Sequence, residues 1–82
     1  MNDFMIRLNT INKVKNFVNI VSKFNSNEIT MDLVSNRYVV DAKSIMGIFS
    51  LDLSKDITLR VYTEDKSLID KLLEDIDEFL VK

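Results

Sequence analysis

The hydrophobic period of this chain switches back and forth between two residues and three to four, and that alternation restricts its fold more than any other feature. Phe4, Ile6 and Leu8 alternate with Met5 and Arg7, the pattern of a half-buried strand. From Ile11 the period lengthens. Ile11, Val14, Phe17, Val18, Val21 and Phe24 follow helical spacing, while Asn12, Lys13, Lys15, Asn16, Asn19 and Lys23 fill the opposite face. Thr10 or Asn9 can cap this helix by accepting a bond from an orphan backbone N–H. Asn25-Ser26-Asn27 then breaks the pattern. Ile29, Met31 and Leu33 alternate again, and past Ser35-Asn36-Arg37 comes the β-branched run Tyr38-Val39-Val40, so the two segments read as a hairpin. Ser44 precedes a short apolar segment, Ile45 to Leu51, best read as a buried helix capped by Ser44. Ile57, Leu59 and Val61 give a fourth strand. Leu68, Ile69, Leu72, Leu73, Ile76, Phe79 and Leu80 give a last helix of about four turns.

The predicted order is therefore βαββαβα. Each strand has one apolar face and each helix one apolar stripe. An α+β open-faced sandwich buries all of them: a four-stranded antiparallel sheet with three helices on one face. No repeat, low-complexity stretch or Pro/Gly-rich linker divides residues 1–82, so a single domain is expected.

Composition narrows the chemistry. The 82 residues contain no Cys and no His. That removes the disulfide staple, the thiolate nucleophile, the usual neutral-pH base and the common zinc ligands. No metal site and no cofactor are expected, and the chain does not read as an enzyme. The acids of the last helix sit one or two positions apart and do not converge as a metal site requires. The net charge of −2 hides an asymmetry: residues 1–43 carry six Lys/Arg against four acids, and residues 44–82 five against nine. Lys13, Lys15 and Lys23 make the first helix basic and the last is acidic, opposed faces that read as ordinary solvated surface or as a means of steering association. Neither half has the strong basic excess of a nucleic-acid footprint. No apolar run has the length of a signal peptide or membrane span. A cytoplasmic protein acting through protein contacts, with no nucleic-acid or membrane partner, is the expectation.

The stretch Asp41-Ala42-Lys43-Ser44-Ile45-Met46-Gly47-Ile48-Phe49-Ser50-Leu51 resembles the serine-site segment of HPr, the small phosphocarrier of the bacterial sugar phosphotransferase system. Ser22-Lys23-Phe24 is similar to its HPr counterpart, and the element order is the HPr order, so the resemblance spans nearly the whole chain. It implies the HPr-like sandwich. In HPr a histidine at the start of the first helix, within Gly-Ile-His-Ala-Arg-Pro, accepts and passes on phosphate. Counting back from Ser22-Lys23-Phe24, that histidine falls at Thr10, the arginine at Asn12 and the proline at Lys13. The loop before Thr10 is shorter than in HPr, and Asn36-Arg37 replaces the usual hairpin glycine. An alcohol is a poor nucleophile without an activating base and yields a stable ester, so Thr10 is no substitute for an imidazole.

The resemblance further implies that Ser44 is a target of an ATP-dependent kinase and that its phosphorylated form meets a transcriptional regulator or resists phosphotransferase enzymes. A phosphate there would sit at the start of the short helix, where orphan N–H groups favour negative charge. Ser44 is equally a plain N-cap. Lys13, Met46, Gly47 and Phe49 are the candidate partner-binding residues, with Ile45 and Ile48 on the same apolar stripe. Two functional readings follow: a histidine-less regulatory binding module switched at Ser44, or a structural or homo-oligomerising module that kept the fold and no phosphotransferase role.

Overall fold

The computed structural model describes residues 2–82. Its elements are β1 (Asn2–Ile6), α1 (Ile11–Val21), β2 (Thr30–Ser35), β3 (Tyr38–Asp41), α2 (Ile45–Phe49), β4 (Ile57–Tyr62), α3 (Lys66–Asp75) and a 3-10 turn at Asp77–Phe79. The strands form one antiparallel sheet in the order β1-β4-β2-β3. The alternation in sequence decides what each strand buries. Ile6, Met31, Leu33, Ile57, Leu59 and Val61 share a core with Val14, Phe17 and Val21 of α1, Ile48 of α2 and Leu72 of α3. Asp3, Met5, Tyr62 and Val39 stand on the uncovered face. The architecture is the expected four-stranded sandwich.

Several element ends differ from the expectation, α2 stopping at Phe49 and not Leu51 among them, and three of the differences follow from packing. β1 stops at Ile6, not Leu8; Leu8 is fully buried beyond the strand. α1 stops at Val21, and a tight turn through Ser22 carries Phe24 into the core. The last helix does not run to Leu80. It ends at Asp75, and the 3-10 turn swings Phe79 inward, where its ring meets Phe17 edge-to-face at 5.7 Å and 87°. That turn also returns the chain to β1. The Arg7 N–H donates to the Phe79 carbonyl and the Val81 N–H to the Met5 carbonyl, both at 2.9 Å. A straight helix would have left these groups of β1 unpaired. Ile11, placed on the α1 stripe by its spacing, is 63% exposed, since as the first helical residue it lies at the stripe's end.

With Pro absent and one Gly, the turns are built by side chains. Asn25, Asp41 and Asp52 each accept a bond from the backbone N–H two residues on, at 2.8, 2.8 and 3.1 Å. Asn36 takes φ 55 to close the β2–β3 hairpin, a left-handed conformation that Asn tolerates better than most residues. Asp65 caps α3 by accepting from the Ser67 and Leu68 N–H groups.

These bonds contribute to the acid stability. The Ser67 hydroxyl, with the Leu68 and Ser67 N–H groups, holds the Asp65 carboxyl below its ordinary value. The Ser54 hydroxyl does the same for Asp52, and the Arg60 guanidinium for Asp3. A carboxylate whose folded pKa is depressed contributes stability that is complete above the unfolded value, about 4, and is lost as pH falls through the folded one. The melting temperature is expected to hold from neutrality to about pH 5 and decline below about pH 4. Asp65→Asn keeps the capping oxygen but cannot titrate, so its decline should be shallower; equal slopes in a calorimetric pH series would contradict this.

Candidate functional site

The segment from Asp41 to Phe49 is organised around Ser44. Asp41 ends β3, and its carbonyl accepts from the Ser44 N–H at 2.9 Å while its carboxylate accepts from the Lys43 N–H. This reversal leaves Ser44 extended, at φ −93 and ψ 101, as the N-cap of α2. Its Oγ accepts from the Gly47 N–H at 3.1 Å and its carbonyl from the Ile48 N–H at 3.0 Å. Ser44 itself is partly exposed.

Gly47 belongs to the same arrangement. A Cβ there would lie 3.1 Å from Ser44 Oγ and 3.1 Å from the Val40 Cβ. The second contact is with a branch point fixed to β3, which cannot swing away. The glycine is therefore needed for close approach of α2 to β3 and the cap, although its φ is ordinary.

Lys43 has a role that the sequence reading did not single out. Its Nζ donates to the Phe24 carbonyl at 2.6 Å and to Ser26 Oγ at 2.8 Å. It thereby ties the start of α2 to the end of α1, supplying a charged donor to a carbonyl just past a helix C-terminus. Nothing local in the sequence signals a bond across 19 positions.

α2 divides its apolar residues sharply. Ile48 is buried and Ile45 partly so, whereas Met46 is 79% and Phe49 41% exposed. Three positions apart, Met46 and Phe49 share one helical face and make a small open patch of an adaptable side chain beside an aromatic one.

Thr10, Asn12 and Lys13 lie at the other candidate location. Thr10 is exposed and caps α1, its Oγ1 accepting from the Lys13 N–H at 3.1 Å. Asn12 is exposed and Lys13 half-buried. Lys13 lines a depression of about 280 Å³ with Arg7, Glu78, Phe79, Leu80, Val81 and Lys82, so it faces the C-terminal residues; α2 contributes nothing to that lining among the described residues. Arg7 and Lys82 are already paired with Asp56 and Asp77, at 2.6 and 2.9 Å. The candidate partner-binding residues thus divide by what they line: Lys13 borders this depression, and Met46, Gly47 and Phe49 do not. No described helix is long and apolar enough to cross a membrane.

The comparisons with known proteins bear on both groups. The family described as PTS-HPr, PTS HPr component phosphorylation site, matches residues 12–81. The matched region takes in Ser44 and all of α2 and begins two positions after Thr10. A crystal structure described as that of HPr-C-His from Thermoanaerobacter tengcongensis is similar at a TM-score of 0.65 and 27% identity, covering 98% of this chain and 100% of its own. No curated protein matches the chain.

The packing of Gly47 yields a direct check. Gly47→Ala gains helix propensity of about 1 kcal/mol but must overpack Val40 and the cap, at about 1–3 kcal/mol. Urea unfolding should show a net loss of stability, and a more stable variant would refute the close-approach account.

Proposed function

The chain belongs to the HPr family of the phosphotransferase system, and from that membership we propose that it is a regulatory protein-binding module without histidine phosphotransfer, switched by phosphorylation of Ser44. The family is one of phosphocarriers, which work by contact with other proteins of the system. The observation that carries the proposal is the pairing, on one five-residue helix, of a partly exposed Ser44 with Met46 at 79% and Phe49 at 41% exposure. A phosphoryl group on Ser44 adds close to two negative charges beside an apolar patch, which changes the partners that the patch accepts.

Absence of phosphohistidine chemistry rests on the residues. An imidazole is the nucleophile of that reaction, and the 82 residues contain none. Thr10, at the position inferred for the histidine, spends its hydroxyl as a helix cap, and among the described residues no base is bonded to it. The protein is proposed to be a target and a ligand, not an enzyme, and to use no cofactor. Its partners are an HPr kinase and a phosphate-sensitive regulator. Lys13, Met46, Gly47 and Phe49 remain the proposed contact residues, with Gly47 acting through the shape of α2.

The second reading, a fold kept without any phosphotransferase role, is favoured by Lys43 and Gly47. Their bond to Phe24 and close approach to Val40 account for Lys43 and Gly47 by packing alone.

Phosphorylation separates the two. In the proposed step Ser44 Oγ attacks the γ-phosphorus of ATP, the bond to the β-phosphate oxygen breaks, ADP leaves, and the hydroxyl proton passes to the kinase. Incubation with ATP and an HPr kinase should add one phosphate to the intact mass, absent in Ser44→Ala. Incubation with phosphoenolpyruvate and the first phosphotransferase enzyme should add no acid-labile phosphate. An unmodified chain beside a fully modified HPr in the same tube would remove the switch and leave the structural reading.

A further inference from the structure

The outer edge of the sheet is unpaired in a way that specifies its own partner. β3 is the last strand, bonded only to β2, and the two-residue turn Asn36-Arg37 joins them with Ser35 opposite Tyr38 and Leu33 opposite Val40. In a hairpin closed by two residues, the pair flanking the turn exchanges both backbone bonds and the next pair exchanges none. Tyr38 and Val40 therefore direct their N–H and C=O groups to β2. Ala42 continues the series, its N–H donating to the Met31 carbonyl at 3.1 Å. Val39 lies between them and directs its N–H and C=O outward, away from the sheet, as Asp41 does.

This edge is guarded only by its shortness and by one charge, Asp41. Tyr38–Asp41 has no Pro, no Lys and no bulge in its register, and Tyr38 and Val39 are 65% and 58% exposed. On the uncovered face a row of side chains, Met5, Thr58, Val34 and Val39, crosses all four strands and ends at this edge.

We propose that β3 pairs antiparallel with β3 of a second copy of the chain about a twofold axis through Val39, joining the two sheets into one. In that register the two Val39 residues exchange their free backbone bonds, Tyr38 lies opposite Val40, and Arg37 lies opposite Asp41 of the other copy, twice. Charge selects this register. Arg37 makes no salt bridge among the described residues, and the Asp41 carboxylate accepts only the Lys43 backbone N–H. Moving the axis to Val40 sets Arg37 opposite Lys43, and moving it to Asp41 sets the two Asp41 carboxylates side by side. Like charges directly opposed are destabilising. The row ending at Val39 then continues across the axis into its own image. This inference does not rest on the reading of Ser44, since it uses only the β3 backbone, Arg37 and Asp41.

A four-residue strand buries less than a standard interface, so the dimer is weak and reversible. Sedimentation equilibrium of the full chain from about 20 µM to about 1 mM, at low salt, should show the average mass rising from 9.5 kDa toward twice that value. Val39→Pro removes the outward N–H without touching the β2 ladder, and Arg37→Glu opposes Asp41 with a like charge. Each should weaken association by at least about tenfold while circular dichroism stays unchanged. Arg37→Glu with Asp41→Lys should restore it. A mass of 9.5 kDa at every concentration would overturn the proposal, and so would a dimer indifferent to both Val39→Pro and Arg37→Glu.

Discussion

The edge-to-face contact between Phe17 and Phe79 holds the two ends of this small fold together. Phe17 is the centre of the α1 stripe, and Phe79 arrives from the far end of the chain. With no disulfide, the core is the main store of stability, and a domain of this size has little to spare. Bringing Phe79 inward also forces the 3-10 turn, and the turn delivers Phe79 and Val81 to the backbone of β1. One aromatic pair thus decides where α3 ends, how an edge strand is protected, and what lines the depression beside Lys13. The sheet then has one edge partly covered, at β1, and one left open, at β3.

A second long-range interaction fixes the segment around Ser44. Lys43 reaches the Phe24 carbonyl, and through it α2 is registered against the end of α1 while Gly47 lets it sit close on β3. Ile48 is buried by that placement, and Met46 and Phe49 are left facing outward. The exposed patch is a consequence of packing on its other side. The cap, the glycine and the Lys43 anchor each fix the position of this short helix, which favours one geometry for its outward residues.

Much of the fold was legible in the sequence because strands and helices announce themselves by period. Ile57, Leu59 and Val61 alternate, and all three are buried; Val14, Phe17 and Val21 keep helical spacing, and all three are buried. Element ends were less legible. Leu80 fits the helical period of α3 equally well, but its partner is Ile6, over 70 positions away, and no local pattern encodes that bridge. The candidate site divides in the same way. Ser44 could be placed as a cap from the apolar run after it, and Met46 and Phe49 could be placed on α2. The work of Lys43 and Gly47 could not, because each depends on an atom of a distant element. Ile11 shows the converse: its spacing is that of a core residue, yet at the first turn of α1 it faces solvent.

The central proposal is that the working surface is centred on the outward face of α2, with Lys13 at its margin, and not on Thr10. Amide chemical shifts of the 15N-labelled protein, recorded with and without an HPr kinase in the absence of ATP, test it most directly. The account predicts that the perturbed amides cluster from Ser44 to Phe49. Perturbation centred on Thr10 to Lys13, with α2 unaffected, would contradict it.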